Sequence, residues 1–364
     1  MTTDEAVFID LDSLPLWPDH PCELTTTTDI IKNITYDYMP CPVNDITSLN
    51  SDLYISISSA AGRPNGNQIV KLNLDSRKIT DSYPAGPEPE SVAVSDDASR
   101  IYVALDGISQ FEEIDVSTKT SLYRTEVGSD STGHYSVGKI LTRPDNLGEV
   151  AVLVVNKNFL NDPCERLTLF SNGVEQTGYA LSPYDIDKIG FIDSNTIAGI
   201  SVNNAGWRYR AFSVSSAGVE LLLNGDISWE FGFQTDMTVF ENLLINSSGV
   251  VLDISNPALP AEAVRFDTGI NTVDSLTFGG LANSKVIVDE NNRDVYIYAE
   301  FLPDKTVPVI QRFNFDTKEK TGEISLPRYG FSSAAVTAFV EQNDTIVISS
   351  GQGVVFLNKS LFDE

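Results

Sequence analysis

At 364 residues with a formal charge of −27, from 51 acidic against 24 basic residues, the chain carries a strongly negative surface that repels phosphate backbones, which makes nucleic acid and anionic membrane poor partners. Hydrophobic residues make up 41% and aromatics 9%, enough to fill a core and to exclude a disordered chain, while 24 Gly and 17 Pro supply the turns that many short strands need. No run approaches the ~18 to 20 apolar residues of a membrane-spanning helix, and 3 Cys with 2 His leave no basis for a zinc, iron–sulfur, haem or multi-copper site.

Residues 1–34 read as a lead-in segment. The opening Met-Thr-Thr-Asp-Glu has neither the basic nor the apolar region of a signal peptide, so the protein is either cytosolic or exported with its leader removed. Cys22 and Cys41 lie in a Pro-rich stretch and can pair in an oxidising compartment, leaving Cys164 free; the sequence alone leaves the pairing open.

From Asp45 onward one unit recurs: an apolar strand, a polar turn, a second apolar strand, a looser connection, a third strand and a weaker fourth. Its copies start near Asp45, Glu90, Val137, Asp187, Asp236, Asp274 and Ala334. The clearest runs ESVAVSDDASRIYVAL over 90–105, then FEEIDVSTKT over 111–120 and LYRTEVG over 122–128. Alternation and β-branched residues make the strands, and the Asp-Asp-Ala-Ser cluster at 96–99 makes the hairpin turn. Third strands are expected near 68–74, 166–170, 210–214, 249–254, 310–315 and 353–357.

Starts spaced by about 40 to 60 residues bracket the propeller period of about 40 to 50. They predict an all-β, seven-bladed β-propeller that occupies residues 1–364 as a single domain. The last copy runs out of chain soon after its third strand. An N-terminal segment, either residues 6–11 or residues 23–29, is therefore expected to complete that blade and remove the open edge.

Two stretches resemble known repeats. PAGPEPESVAVS over 84–95 with RIYVAL over 100–105 resembles the YVTN-type propeller repeat, and GVVLDISNPALP over 249–260 resembles the LVIVD repeat of bacterial surface propellers. Each covers about one blade. The resemblance implies a propeller at the bacterial surface, in the periplasm or secreted, and it carries no catalytic residues across.

Aligning the copies gives a candidate site. The residue entering the innermost strand is acidic in five of them: Asp45, Glu90, Asp187, Asp236 and Asp274. In a propeller these positions converge at one mouth of the central channel. Clustered carboxylates either recruit a hard cation, Ca²⁺ or Mg²⁺, or each binds the backbone of the neighbouring blade. The first possibility resembles, in position alone, the metal site of sugar-lactonase propellers. His134 stands either beside this ring as a base or in an exposed loop.

Nucleotide-binding and hydrolase motifs are absent from the sequence. The stretch from Asp289 to Asp294 suggests a calcium loop but lacks the Gly an EF-hand requires, so it reads as the hairpin turn equivalent to 95–99. Trp207, Arg208, Tyr209 and Arg210, with Trp229, Phe231 and Phe233, form an aromatic-rich region that is expected to pack between blades. The sequence thus predicts a monomeric, non-enzymatic propeller that holds an unknown small ligand or a protein. A Ca²⁺- or Mg²⁺-dependent, lactonase-like hydrolase is the alternative.

Overall fold

A computed structural model describes residues 22–29, 34–131, 133–156, 164–181, 186–201, 208–223, 235–269, 284–300, 308–326, 336–342, 344–350 and 353–363. Among these the chain is almost wholly β, with short 3-10 turns at Ser59–Ala61 and Lys359–Phe362 and no α-helix.

The strands form successive antiparallel meanders. Four-stranded sheets span Val43–Leu49 to Lys78–Pro84, Pro89–Val94 to Thr120–Glu126, Met237–Phe240 to Ala261–Arg265, and Lys285–Asp289 to Lys320–Ser325. An eight-stranded sheet contains two meanders, Ser136–Thr142 to Val174–Leu181 and Lys188–Asp193 to Gly218–Leu221, joined by one parallel pairing of Gly178 with Gly218. That approach requires glycine: Gly218 has φ of +128°, and a Cβ there would lie 1.8 Å from the Gly178 carbonyl oxygen. A two-stranded ribbon pairs Ser129–Asp130 with Gly133–His134.

The last sheet has five strands and joins the two ends of the chain. Ile34–Pro40 pairs with Gly353–Asn358 and so takes the place next to the C-terminal hairpin, while Thr25–Asp29 adds outside it. Closure by the N-terminal region is as expected, but the strand that contacts the C-terminal hairpin is 34–40. The predicted 23–29 segment overlaps the fifth, outermost strand, and residues 6–11 lie outside the described residues. The reason is apolar content: Tyr38 and Met39 bury in the cores on either side of the sheet, and Cys22 and Cys41, joined in a disulfide, seal the segment against it.

Period-two alternation explains why the second strands read as continuous apolar runs. Along Arg100–Leu105, Ile101 and Val103 face the preceding sheet, while Tyr102 and Ala104 face the following one. Each sheet is thus sandwiched, and an apolar cluster fills every gap between neighbours. Edge-to-face aromatic pairs such as Phe111 with Phe170, 4.9 Å apart, and Tyr296 with Phe362, 5.2 Å apart, help to fill them. The two meanders of the eight-stranded sheet also lie face to face, with Leu153, Leu167 and Leu169 of one against Ile197, Phe212 and Val214 of the other. Fully burying each such side chain contributes about 1.5–3 kcal/mol. Outermost strands carry no such load, and Thr120–Glu126 is exposed along nearly its whole length.

The first strand of each meander lies against the first strand of the next. Val43–Leu49 touches Pro89–Val94, which touches Ser136–Thr142, then Lys188–Asp193, Met237–Phe240, Lys285–Asp289 and Val336–Gln342, which returns to Val43–Leu49. These innermost strands enclose the axis of a closed ring.

Candidate functional site

Several innermost strands are irregular where they begin. Register shifts fall between Val43 and Asp45, between Val137 and Lys139, and between Pro89 and Val92. A bulge re-aims the side chain beside it. It leaves Asp45 and Lys139 at equivalent positions of their meanders.

Asp45 is buried and held from both sides. Its amide donates to Ser56 Oγ at 2.8 Å, and the same hydroxyl donates back to the Asp45 carbonyl at 3.1 Å. Its carboxylate Oδ2 accepts the Val92 amide of the neighbouring innermost strand at 3.1 Å and Lys139 Nζ, also at 3.1 Å. Asp45 therefore does bind the next sheet's backbone, and it pairs with a lysine as well.

Asp236 repeats this support. Its amide donates to Ser247 Oγ at 2.8 Å, and its carbonyl accepts the Ser247 amide at 3.0 Å. Two lysines flank its carboxylate, with Lys188 Nζ 3.9 Å from Oδ1 and Lys285 Nζ 3.8 Å from Oδ2. Among the described residues these ion pairs bring together three ammoniums and two carboxylates drawn from five meanders.

Their electrostatics are mutual. Burial works against the charge of Lys139, yet Asp45 and Asp236 hold its pKa above the usual lysine range. Burial also opposes ionisation of Asp236, but Lys285, Lys188, the Met237 amide and Lys139 keep its carboxyl below the usual range. Burial pulls Lys285 down to about 8; Lys188 and Lys139 push the same way, against Asp236 and Asp45.

Of the other predicted acids, Glu90 lies half-buried on Pro89–Val94, and Asp187 is half-buried just before Lys188–Asp193, its amide donating to the Ile200 carbonyl at 3.0 Å. Asp274 lies outside the described residues. The innermost strand of that meander is Lys285–Asp289, and the charge it brings to the axis is a lysine. Among the described residues no three His, Cys, Asp or Glu side chains gather as a metal-ligand set. The sequence reading missed Lys139, Lys188 and Lys285 because it followed only acidic residues; Lys139 stands two residues beyond the Val137 start of the third copy, and the register shift between them brings it level with Asp45.

The remaining sequence candidates fall elsewhere. His134 is exposed on the short ribbon, and His20 lies outside the described residues. Tyr209 and Arg210 are buried, as a packing role requires, while Trp207, Trp229, Phe231 and Phe233 lie outside the described residues. The Asp289–Asp294 stretch is a hairpin turn. Asp289 accepts the Asn291 and Asn292 amides, both at 3.0 Å, and its partner cation is Lys359.

No protein-family model matches the chain, and no curated protein sequence matches it. Solved structures do match. The β-propeller domain of Myceliophteria thermophila Cps50 (Swd1) aligns with a TM-score of 0.61 at 10% identity, covering 92% of this chain and 99% of that one. Kuenenia stuttgartiensis hydrazine synthase aligns at 0.57 and 12% identity over 87% and 95% of the two chains. U3-55K aligns at 0.57 and 8% identity over 92% and 98%. The likeness establishes the class: this is an all-β chain with a β-propeller fold. At such identities it shows the fold alone.

Proposed function

We propose that this protein is a seven-bladed, non-enzymatic propeller that binds a ligand at the axis of its ring, working at the bacterial surface or in the periplasm. The observation that carries the binding reading is the convergence of Asp45, Lys139, Lys188, Asp236 and Lys285 on one place from five meanders. Gathering three ammoniums in one partly enclosed place is costly for folding and is a common mark of functional sites. The blade count is supported by the eight-stranded sheet, whose halves pack face to face as two blades would and share one backbone pairing. The Cys22–Cys41 disulfide supports an oxidising compartment.

Thermal melting tests the reading. Small charged compounds of either sign, among them malonate, phosphate, putrescine and calcium, are added to the protein and to an Asp45→Asn/Asp236→Asn variant. A compound that binds the native ring raises its melting temperature by mass action. The reading requires at least one such shift in the native protein and its loss in the variant. Shifts of equal size in both proteins, or none in the native one, would overturn it.

A further inference from the structure

The charge of the ligand can be read from the same group, so this inference rests on the axial-binding reading above. Around Asp236 the local balance is two ammoniums to one carboxylate. Neither ammonium hydrogen-bonds that carboxylate, since 3.8 and 3.9 Å exceed the 2.7–3.2 Å of an N–H···O bond. Among the described residues neither Lys188 nor Lys285 has a hydrogen-bond partner. Yet the Lys285 side chain is only 14% exposed, too enclosed for free hydration. Lys139, whose own carboxylate is Asp45, adds to the positive potential. Among the described residues these ion pairs join three lysines to two aspartates, a locally positive set in a chain of charge −27.

We propose that the axial group is an anion site, in which a small oxyanion of the carboxylate or phosphate class accepts hydrogen bonds from the ammoniums of Lys188 and Lys285. The oxyanion supplies acceptors that Asp236 stands too far away to provide, and it neutralises the surplus ammonium. Asp236 acts as the spacer that keeps the two lysines apart while holding both in place. A divalent cation at the same place would meet three ammoniums and is disfavoured. Affinity falls as pH rises through about 8, where Lys285 loses its proton under the combined influence of burial, Lys188, Lys139, Asp236 and Asp45. It also falls with salt, because screening weakens the attraction between the anion and the ammoniums.

Calorimetric titration with malonate and with inorganic phosphate at pH 7 tests this, on the native chain and on Lys188→Met, Lys285→Met, Lys285→Arg and the surface control Lys78→Met. Tighter malonate binding assigns the site to carboxylates, and tighter phosphate binding assigns it to phosphates. Either Met substitution at the axis should weaken binding by roughly tenfold or more, as expected for one charge-assisted hydrogen bond. Lys285→Arg should retain most of the affinity, and Lys78→Met all of it. Circular dichroism confirms that each variant is folded. Absence of binding by both anions, or equal binding by all variants, overturns the proposal. If putrescine or calcium shifts the melting temperature and is lost in Asp45→Asn/Asp236→Asn while neither anion binds, the anion assignment falls and axial binding stands.

Discussion

Removing the Lys359 ammonium should destabilise the ring at its seam. The final 3-10 turn, Lys359–Phe362, turns this lysine inward, where it is 7% exposed and pairs with both Asp289 and Glu341. Asp289 belongs to the sixth meander and Glu341 to the closing sheet, so one cation ties two sheets and the C-terminal turn together. Lys359→Met leaves two buried carboxylates without their cation. Breaking a buried pair in this way costs about 3–5 kcal/mol.

The effect has a pH signature. Burial raises the Glu341 carboxyl to about 6, and Asp289 and Glu290 add to it, against the pull of Lys359. A carboxyl whose pKa is raised on folding contributes stability that is present below about pH 4.5 and is lost as pH climbs through 6. Across that window the loss is about 2 kcal/mol for the native protein. Without Lys359 the carboxyl rises further, so Lys359→Met should be mildest near pH 5 and worst near pH 8. Lys359→Met/Glu341→Gln should recover part of the stability, since a neutral amide no longer demands a cation. Urea unfolding followed by circular dichroism at pH 5 and pH 8 gives these differences. A loss below about 1 kcal/mol at pH 8, or one independent of pH, would refute the account.

Two further outcomes follow from the closing and joining of sheets. Cys22→Ser/Cys41→Ser, or reduction of the native protein, should cost about 3 kcal/mol, the chain-entropy value for a sequence separation of 19, read as a lower melting temperature; an unchanged melt would mean that the bond does not constrain the N-terminal strands. Arg143, 8% exposed, donates from Nη1 to Glu149 at 2.6 Å and from Nη2 to Asn195 at 2.8 Å across the two meanders of the eight-stranded sheet. Arg143→Ala should therefore cost about 2–4 kcal/mol in urea unfolding, and Arg143→Lys should rescue little of it, because a lysine lacks the planar fork whose separate nitrogens reach Glu149 and Asn195.

Sequence alone determined the elements and their order. Alternation such as that of Arg100–Leu105, with acidic and Ser-rich turns at 96–99, is a local property, and local propensity and period suffice to write strand, turn and strand. Shortage of chain after 353–357 also pointed to closure by the N-terminal region. What the sequence left undecided was contact across the ring. Which N-terminal segment meets Gly353–Asn358 depends on burial of Tyr38 and Met39 between two sheets, and that environment exists only once the ring has closed. The axial group shows the same limit. Aligned copies placed Asp45 and Asp236 at the axis, but the charges that answer them, Lys139, Lys188 and Lys285, come from meanders up to 94 residues away. Coulomb energy depends on distance in space, and the closed ring alone set those distances.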